Sequence, residues 1–72
     1  MTDKEWIALF AAALGVEPPT DAETEQLLAL AAVAAHASER TAAPVSCWLI
    51  ARAGVAPSDA LAIAGRVAPK EG

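Results

Sequence analysis

The chain has 72 residues and a formal net charge of −4, and hydrophobic residues make up 56% of it. This length predicts a single domain, residues 1–72, and the acidic balance excludes a generic nucleic-acid binder, whose surface would be basic. The mean hydropathy of +0.39 is high for a lone domain of this size. Because surplus apolar surface marks a partner site or an oligomer, the first functional expectation is binding to another protein.

The charges are unevenly distributed along the chain. Residues 1–39 hold seven acids and one Lys, a net charge of −6, whereas residues 40–72 hold four bases and two acids, a net charge of +2. The acids can lie on the solvated faces of the first two helices, or the three arginines can form a modest anion-attracting face. These arginines are Arg40, Arg52 and Arg66.

Cellular location is predicted from the cysteine, the first residues and the longest apolar runs. One cysteine cannot form an internal disulfide, which fits a reducing compartment. The first residues, MTDKEW, lack the basic region of a signal peptide. The apolar runs Ile7–Val16 and Leu27–Ala35 are shorter than the roughly 18 residues that a membrane span requires. We therefore expect a cytoplasmic protein without a membrane partner.

Two capping boxes predict where the first two helices begin. In each box a Thr stands three residues before a Glu, and the pairs are Thr2 with Glu5 and Thr20 with Glu23. The first helix is expected at about 3–14, closed by Gly15, and the second at about 21–39. The first helix carries an apolar stripe, which is expected to face the hydrophobic core. Trp6 is the member of the stripe most suited to an edge or interface. The stripe is Trp6, Phe10, Ala13 and Leu14.

The second half of the chain predicts two further helices. Thr41 is a suitable N-cap and Pro44 is tolerated in a first turn, so the third helix is expected at about 42–53. The fourth is expected at about 58–67. Pro57, Ser58 and Asp59 open it, Pro69 ends it, and residues 69–72 form a short polar tail. The predicted fold class is all-α, a compact bundle of four short helices.

Most of the chemically distinctive side chains fall between residues 34 and 49. His36 and Arg40 are four residues apart and would share a helix face. With the free amides of the next helix and a converging Ser46, they could hold a phosphate or carboxylate. The alternative is structural, with His36 partly buried and Arg40 capping its own helix or pairing with an acid. The predicted anion-binding residues are His36, Arg40 and Ser46.

Other chemistries are excluded on composition and motif. Cys47 with His36 as base is a conceivable catalytic pair, but a lone Cys in a helix is usually a small core residue. One His and one Cys do not form a zinc site. The Asp-Ser-Leu motif of acyl carrier proteins is missing. The stretch 50–65 could pass for a helix-turn-helix, but its second helix lacks at its start the Arg, Asn or Gln that base readout requires. We predict no enzyme activity, no catalytic residue, no metal and no cofactor.

The same region carries a family resemblance. The pattern consists of an Ala-His, an Arg four residues on, an Ala-Ala-Pro, and then a stretch with a hydroxyl and an aromatic residue. The matching residues are Ala35-His36, Arg40, Ala42-Ala43-Pro44, Ser46 and Trp48-Leu49, and Trp6 and Leu14-Gly15 match nearer the N-terminus. In this pattern the chain resembles a small actinobacterial all-helical family of unknown function. Such domains occur alone or fused to molybdenum-cofactor guanylyltransferases, often near formate dehydrogenase genes. The chain departs from the family in having Thr41 where Pro is common, and residues 50–52 where Gly is common.

Together these observations predict a non-enzymatic accessory or subunit-like module that binds a protein. The resemblance implies a partner in molybdenum-cofactor biosynthesis or a molybdoenzyme such as formate dehydrogenase. The predicted partner-binding residues are Trp6, Arg40, Trp48 and Arg52, because Trp and Arg dominate binding hot spots. The alternative is a small domain that binds an anion, a nucleotide or a pterin phosphate with His36 and Arg40. Homodimerisation through the third helix is compatible with both.

Overall fold

The computed structural model describes residues 1–67 of the chain, and within this range all regular secondary structure is helical. The elements are α1 (Asp3–Leu14), α2 (Asp21–Ala37), α3 (Ala42–Ala53) and α4 (Pro57–Ala64). The predicted all-α bundle of four short helices is confirmed.

Both predicted capping boxes are present. The Thr2 hydroxyl accepts a hydrogen bond from the Glu5 amide at 3.1 Å, and the Thr2 amide donates to the Glu5 carboxylate at 3.0 Å. The corresponding distances between Thr20 and Glu23 are 3.1 and 2.8 Å. Each box therefore satisfies amides at the start of a helix that the helix itself leaves without partners.

Two glycines close helices as the sequence predicts. Gly15 after α1 has φ +78° and Gly54 after α3 has φ +70°, so both adopt the left-handed conformation that glycine accepts without a Cβ penalty. At the start of α4, Pro57 occupies the first turn, where its missing N–H removes no helical hydrogen bond. The boundaries of α1 and α3 match the predicted ranges.

The other two helices end earlier than predicted. α2 stops at Ala37 because Ser38 has φ −142° and ψ −97°, and both the amide and the hydroxyl of Ser38 donate to the Ala34 carbonyl, at 3.2 and 2.9 Å. α4 stops at Ala64, after which the amide of Val67 bonds to the Ala64 carbonyl three residues back. The predicted stop at Pro69 lies outside the described residues.

Thr41 occupies the predicted N-cap position of α3, but its hydroxyl does not cap the helix. Thr41 already has helical angles, φ −66° and ψ −18°, and its side chain makes no capping hydrogen bond. Instead, the amide of Ala42 donates to the Glu39 carbonyl at 2.9 Å, and that of Ala43 to the Arg40 carbonyl at 3.1 Å. Backbone carbonyls of the α2–α3 turn therefore supply the acceptors that a hydroxyl was expected to supply.

α2 is the central helix and packs against both α3 and α4. In the described range α1 has no comparably packed partner; an exposed ion pair, Lys4 Nζ to Asp21 Oδ1 at 3.2 Å, joins its first turn to the start of α2. The molecule measures 40 × 24 × 19 Å along its principal axes. Its buried apolar residues among those described are Ala11, Leu30 and Ala60.

None of the helices in residues 1–67 has the length and apolar character needed to cross a bilayer.

Candidate interaction surfaces

Large apolar side chains lie mostly at the surface of this molecule. The exposed ones among the described residues are Met1, Trp6, Ile7, Leu9, Phe10, Leu14, Val16, Leu28, Val45, Trp48, Leu49, Ile63 and Val67. Apart from Leu28, they belong either to α1 and its ends or to α3, α4 and the turn that follows α4. Contiguous apolar surface marks interaction sites, so these two regions are the candidate functional surfaces.

The first region is the Trp48 surface, which we define as Val45, Trp48 and Arg52. All three residues are exposed, and Trp48 keeps 58% of its surface in solvent. The guanidinium carbon of Arg52 lies 5.2 Å from the centroid of the Trp48 ring, within the range of a cation–π contact. The sequence places these residues three or four apart, so one side of α3 presents them together.

This surface lies away from the packed side of α3. Ser46 and Ile50, which are half-buried, stand two residues before and after Trp48. Since successive helical residues are rotated by about 100°, positions two apart point in nearly opposite directions. Trp48 is therefore available to a partner without disturbing the packing of α3 on α2.

Arg40 is exposed in the α2–α3 turn, which precedes α3. The turn forms a shallow depression of about 470 Å³ whose lining includes Glu39, Thr41 and Val45. Val45 thus borders both the depression and the Trp48 surface. Of the four predicted partner-binding residues, the structure brings Trp48 and Arg52 into contact, whereas Arg40 lies in the turn before α3 and Trp6 lies on α1.

Trp6 belongs to an α1 surface, which we define as Trp6, Leu9 and Phe10. The Trp6 and Phe10 rings stack with centroids 5.0 Å apart and planes at 29°. The prediction that the α1 stripe forms core is wrong, because Trp6, Phe10 and Leu14 are all exposed. The buried residue of α1 is Ala11. A stripe of this kind is equally suited to a core or to a partner helix, and its period does not distinguish the two.

The predicted anion-binding residues are not brought to one cleft. His36 is exposed in the last turn of α2, and Arg40 lies beyond the end of that helix, so the two residues do not share a helix face. Ser46 is half-buried and lines a groove with Leu30 and Ala64, to which His36 and Arg40 do not contribute. Anion binding by these three residues stays a prediction.

A feature that the sequence did not predict is an apolar groove of about 310 Å³ where α2, α3 and α4 meet. We call it the central groove. Ser46 is its only polar lining residue among those described, and the larger apolar side chains that line it are Leu30, Leu49, Ile50, Val55, Ile63 and Val67. The lining residues of α3 and α4 follow helical spacing in the sequence. That they line the same groove is visible only in the structure, where the helices meet at Leu30.

The described residues, 1–67, contain one His and one Cys. Within this part of the chain, no three His, Cys, Asp or Glu side chains are placed to hold a metal ion. Cys47 is a free, half-buried thiol on α3.

A family model described as "Domain of unknown function (DUF6457)" matches residues 2–70, almost the whole chain. No curated protein and no solved structure matches the sequence.

Proposed function

We propose that this chain, which belongs to the DUF6457 family of domains of unknown function, is a non-enzymatic accessory module that binds a protein through the Trp48 surface. Its partner in this proposal is a molybdoenzyme, such as a formate dehydrogenase, or a protein of molybdenum-cofactor biosynthesis.

The observation that carries the proposal is the exposed Trp48 ring with Arg52 held over it at 5.2 Å. Trp and Arg are the residue types most enriched in binding hot spots, and large rigid side chains bury much area for little loss of conformational freedom. The contact with Arg52 restricts both side chains before a partner arrives. Binding then loses less side-chain entropy than it would with two mobile side chains.

The charges on α3 and on the turn before it indicate what the partner surface contains. Arg40 and Arg52 are both exposed and lie in the half of the chain with a net charge of +2. A complementary partner therefore offers an apolar pocket for the indole with acidic side chains at its rim. The non-enzymatic character is proposed from composition, since one His and one half-buried Cys provide few groups for acid–base or nucleophilic chemistry.

The molybdenum setting rests on the sequence pattern. The run from Ala35 to Leu49 is similar to domains found alone or fused to molybdenum-cofactor guanylyltransferases. This run contains the α2–α3 turn and Trp48, so Trp48 both carries the resemblance and lies on the proposed surface. Arg52 lies at a position where the chain departs from the family, so the partner class is proposed from the resemblance and the binding surface from the structure.

Affinity capture from the native host tests the proposal. The tagged full chain is expected to retain a molybdoenzyme subunit or a cofactor-biosynthesis protein, identified by mass spectrometry. Trp48→Ala is expected to weaken this capture by about 30-fold or more, because truncation of a hot-spot residue costs about 2 kcal/mol or more. If the wild-type chain captures no protein of either class, the proposal is wrong.

A matched control separates loss of the surface from loss of the fold. Leu28→Ala removes another exposed apolar side chain, on α2 and outside the Trp48 surface. We expect it to leave capture unchanged, and far-UV circular dichroism should show the same helix content in both variants. Equal loss of capture in both variants would mean that binding depends on general apolar exposure instead of on Trp48.

A further inference from the structure

We infer that α1 of one copy of this chain occupies the central groove of a second copy, so that two chains form a symmetric dimer with α1 exchanged in both directions. This inference goes beyond the proposed function, because it uses the α1 surface and the central groove and leaves the Trp48 surface free.

The exposed area of the chain is larger than that of a compact monomer of the same mass, which indicates that a partner covers part of its surface. The solvent-accessible surface is 5558 Å², whereas a compact monomer of 7.3 kDa is expected to expose about 4,200 Å². The excess of about 1,400 Å² is larger than the roughly 800 Å² that each partner buries in a standard protein interface. The excess is therefore large enough for a stable interface with one further copy of the chain.

The chain contains both halves of a helix-in-groove contact. α1 has no extensively packed partner within the described residues, and it carries Trp6, Leu9 and Phe10 on its exposed sides. The central groove opens between α3 and α4 and has Ile63 and Val67 at its exposed edge. An amphipathic helix binds such a groove through apolar side chains one turn apart, which is the spacing of Trp6 and Phe10.

The charges of the two elements are compatible with a second copy as the occupant. α1 carries two acids and one Lys, a net charge of −1, whereas α3 and α4 together carry one Arg and one Asp, a net charge of zero. When α1 of one chain lies over α3 and α4 of the other, no like net charges are therefore brought together. A two-fold axis repeats this contact, so the same pair of surfaces joins both chains.

The mass of the full chain in solution is the first test. In light scattering or sedimentation equilibrium we expect twice the chain mass of 7.3 kDa at high concentration, with dissociation on dilution. A chain that keeps a single mass of 7.3 kDa up to millimolar concentration would overturn the inference.

Paired charge variants test which surfaces meet. Phe10→Lys places a cation on α1, and Ile63→Glu places an anion at the edge of the groove. Each variant alone is expected to dissociate, with association weakened by about a hundredfold or more, because the symmetry introduces each charge into both contacts. An equimolar mixture is expected to recover a dimer, since one contact then joins Lys to Glu and the other is unaltered.

Recovery in the mixture also shows that both variants remain folded. Monomeric variants whose mixture stays monomeric would contradict the pairing of α1 with the groove, and so would single variants that remain dimeric. Trp48→Ala is the control for the other surface. It is expected to remain a dimer while losing the captured partner, so failure of the dimer and failure of the proposed function are distinguishable.

Discussion

The guanidinium carbon of Arg52 lies 5.2 Å from the centroid of the Trp48 ring, one helical turn further along α3. Neither residue is needed to hold α3 against α2, since both are exposed. Because this pair contributes little to packing, substitutions of Trp48 or Arg52 are expected to change partner binding without a large change in the stability of the fold.

The first prediction concerns this pair. Arg52→Ala is expected to increase the mobility of the Trp48 ring, since the cation–π contact at an exposed site is worth about 0.5–1 kcal/mol. Fluorescence anisotropy of Trp48 in a Trp6→Phe background measures the change. Arg52→Lys keeps the charge but loses the planar group, and an intermediate anisotropy is expected. Identical anisotropy in all three proteins would show that Arg52 does not restrain the ring.

The second prediction concerns the core. Leu30 is 3% exposed on α2, and Leu28 on the same helix is 66% exposed. Leu30→Ala is expected to lower the free energy of unfolding by about 2–5 kcal/mol, because it removes buried methyl groups and leaves a cavity. For Leu28→Ala we expect a change within about 0.5 kcal/mol. Urea denaturation followed by circular dichroism measures both, and equal losses would contradict the central position of Leu30.

The third prediction concerns the end of α3. Gly54→Ala is expected to destabilise the chain by about 1–2 kcal/mol, because φ is +70° at this position and a Cβ there is strained even with open space around it. Gly65→Ala is the matched control. Gly65 has φ −65°, and an added Cβ would make only ordinary contacts of 3.6 and 3.7 Å. We therefore expect thermal denaturation to show a lower Tm for Gly54→Ala and an unchanged Tm for Gly65→Ala.

Local signals in the sequence predicted the helices well. The capping boxes at Thr2 and Thr20 and the glycines after α1 and α3 each act within a few residues, and all four were placed correctly. The exceptions also have local causes. The Ser38 hydroxyl donates a hydrogen bond back to the Ala34 carbonyl where α2 ends, two residues earlier than predicted. The sequence alone does not show whether such a side-chain bond or a further turn of helix forms.

Tertiary relationships were less accessible to sequence reasoning. The α1 stripe has the spacing of a core helix, yet whether it packs inside its own chain depends on how the Gly15–Thr20 connector directs the helix. The central groove needs three helices to cross at Leu30. The early end of α2 also removes the shared face on which the pairing of His36 with Arg40 depended. Trp48 is exposed on α3, and its role as a partner-binding residue stays a prediction.

The fourth prediction is a pH dependence at the start of α1. The hydrogen bond that the Thr2 amide donates to the Glu5 carboxylate, and after it the Thr2 hydroxyl, hold the pKa of Glu5 below its ordinary value of 4.5. A carboxyl whose pKa is lower in the folded state stabilises that state above pH 4.5, and this contribution is lost as the pH falls from 4.5 through the lower folded pKa.

NMR titration of the Thr2 amide should follow the protonation of Glu5 and show the loss of the capping box at acid pH. Glu5→Gln is expected to abolish the titration of this amide, because the side chain no longer changes charge. Glu25→Gln lies outside both capping boxes and is the control. A Thr2 amide that titrates identically in Glu5→Gln would contradict the assignment.

The fifth prediction separates the proposed module from the anion-binding alternative. Because α2 ends at Ala37 and does not align His36 with Arg40, we expect phosphate, GTP and molybdopterin nucleotides to leave Tm unchanged. A site filled at 100 times its Kd would stabilise the fold by about 2.7 kcal/mol, which for a domain of this size raises Tm by about 10 °C or more. Such an increase, abolished by His36→Ala and by Arg40→Ala, would establish the alternative. An increase that survives both substitutions would place an anion elsewhere on the molecule.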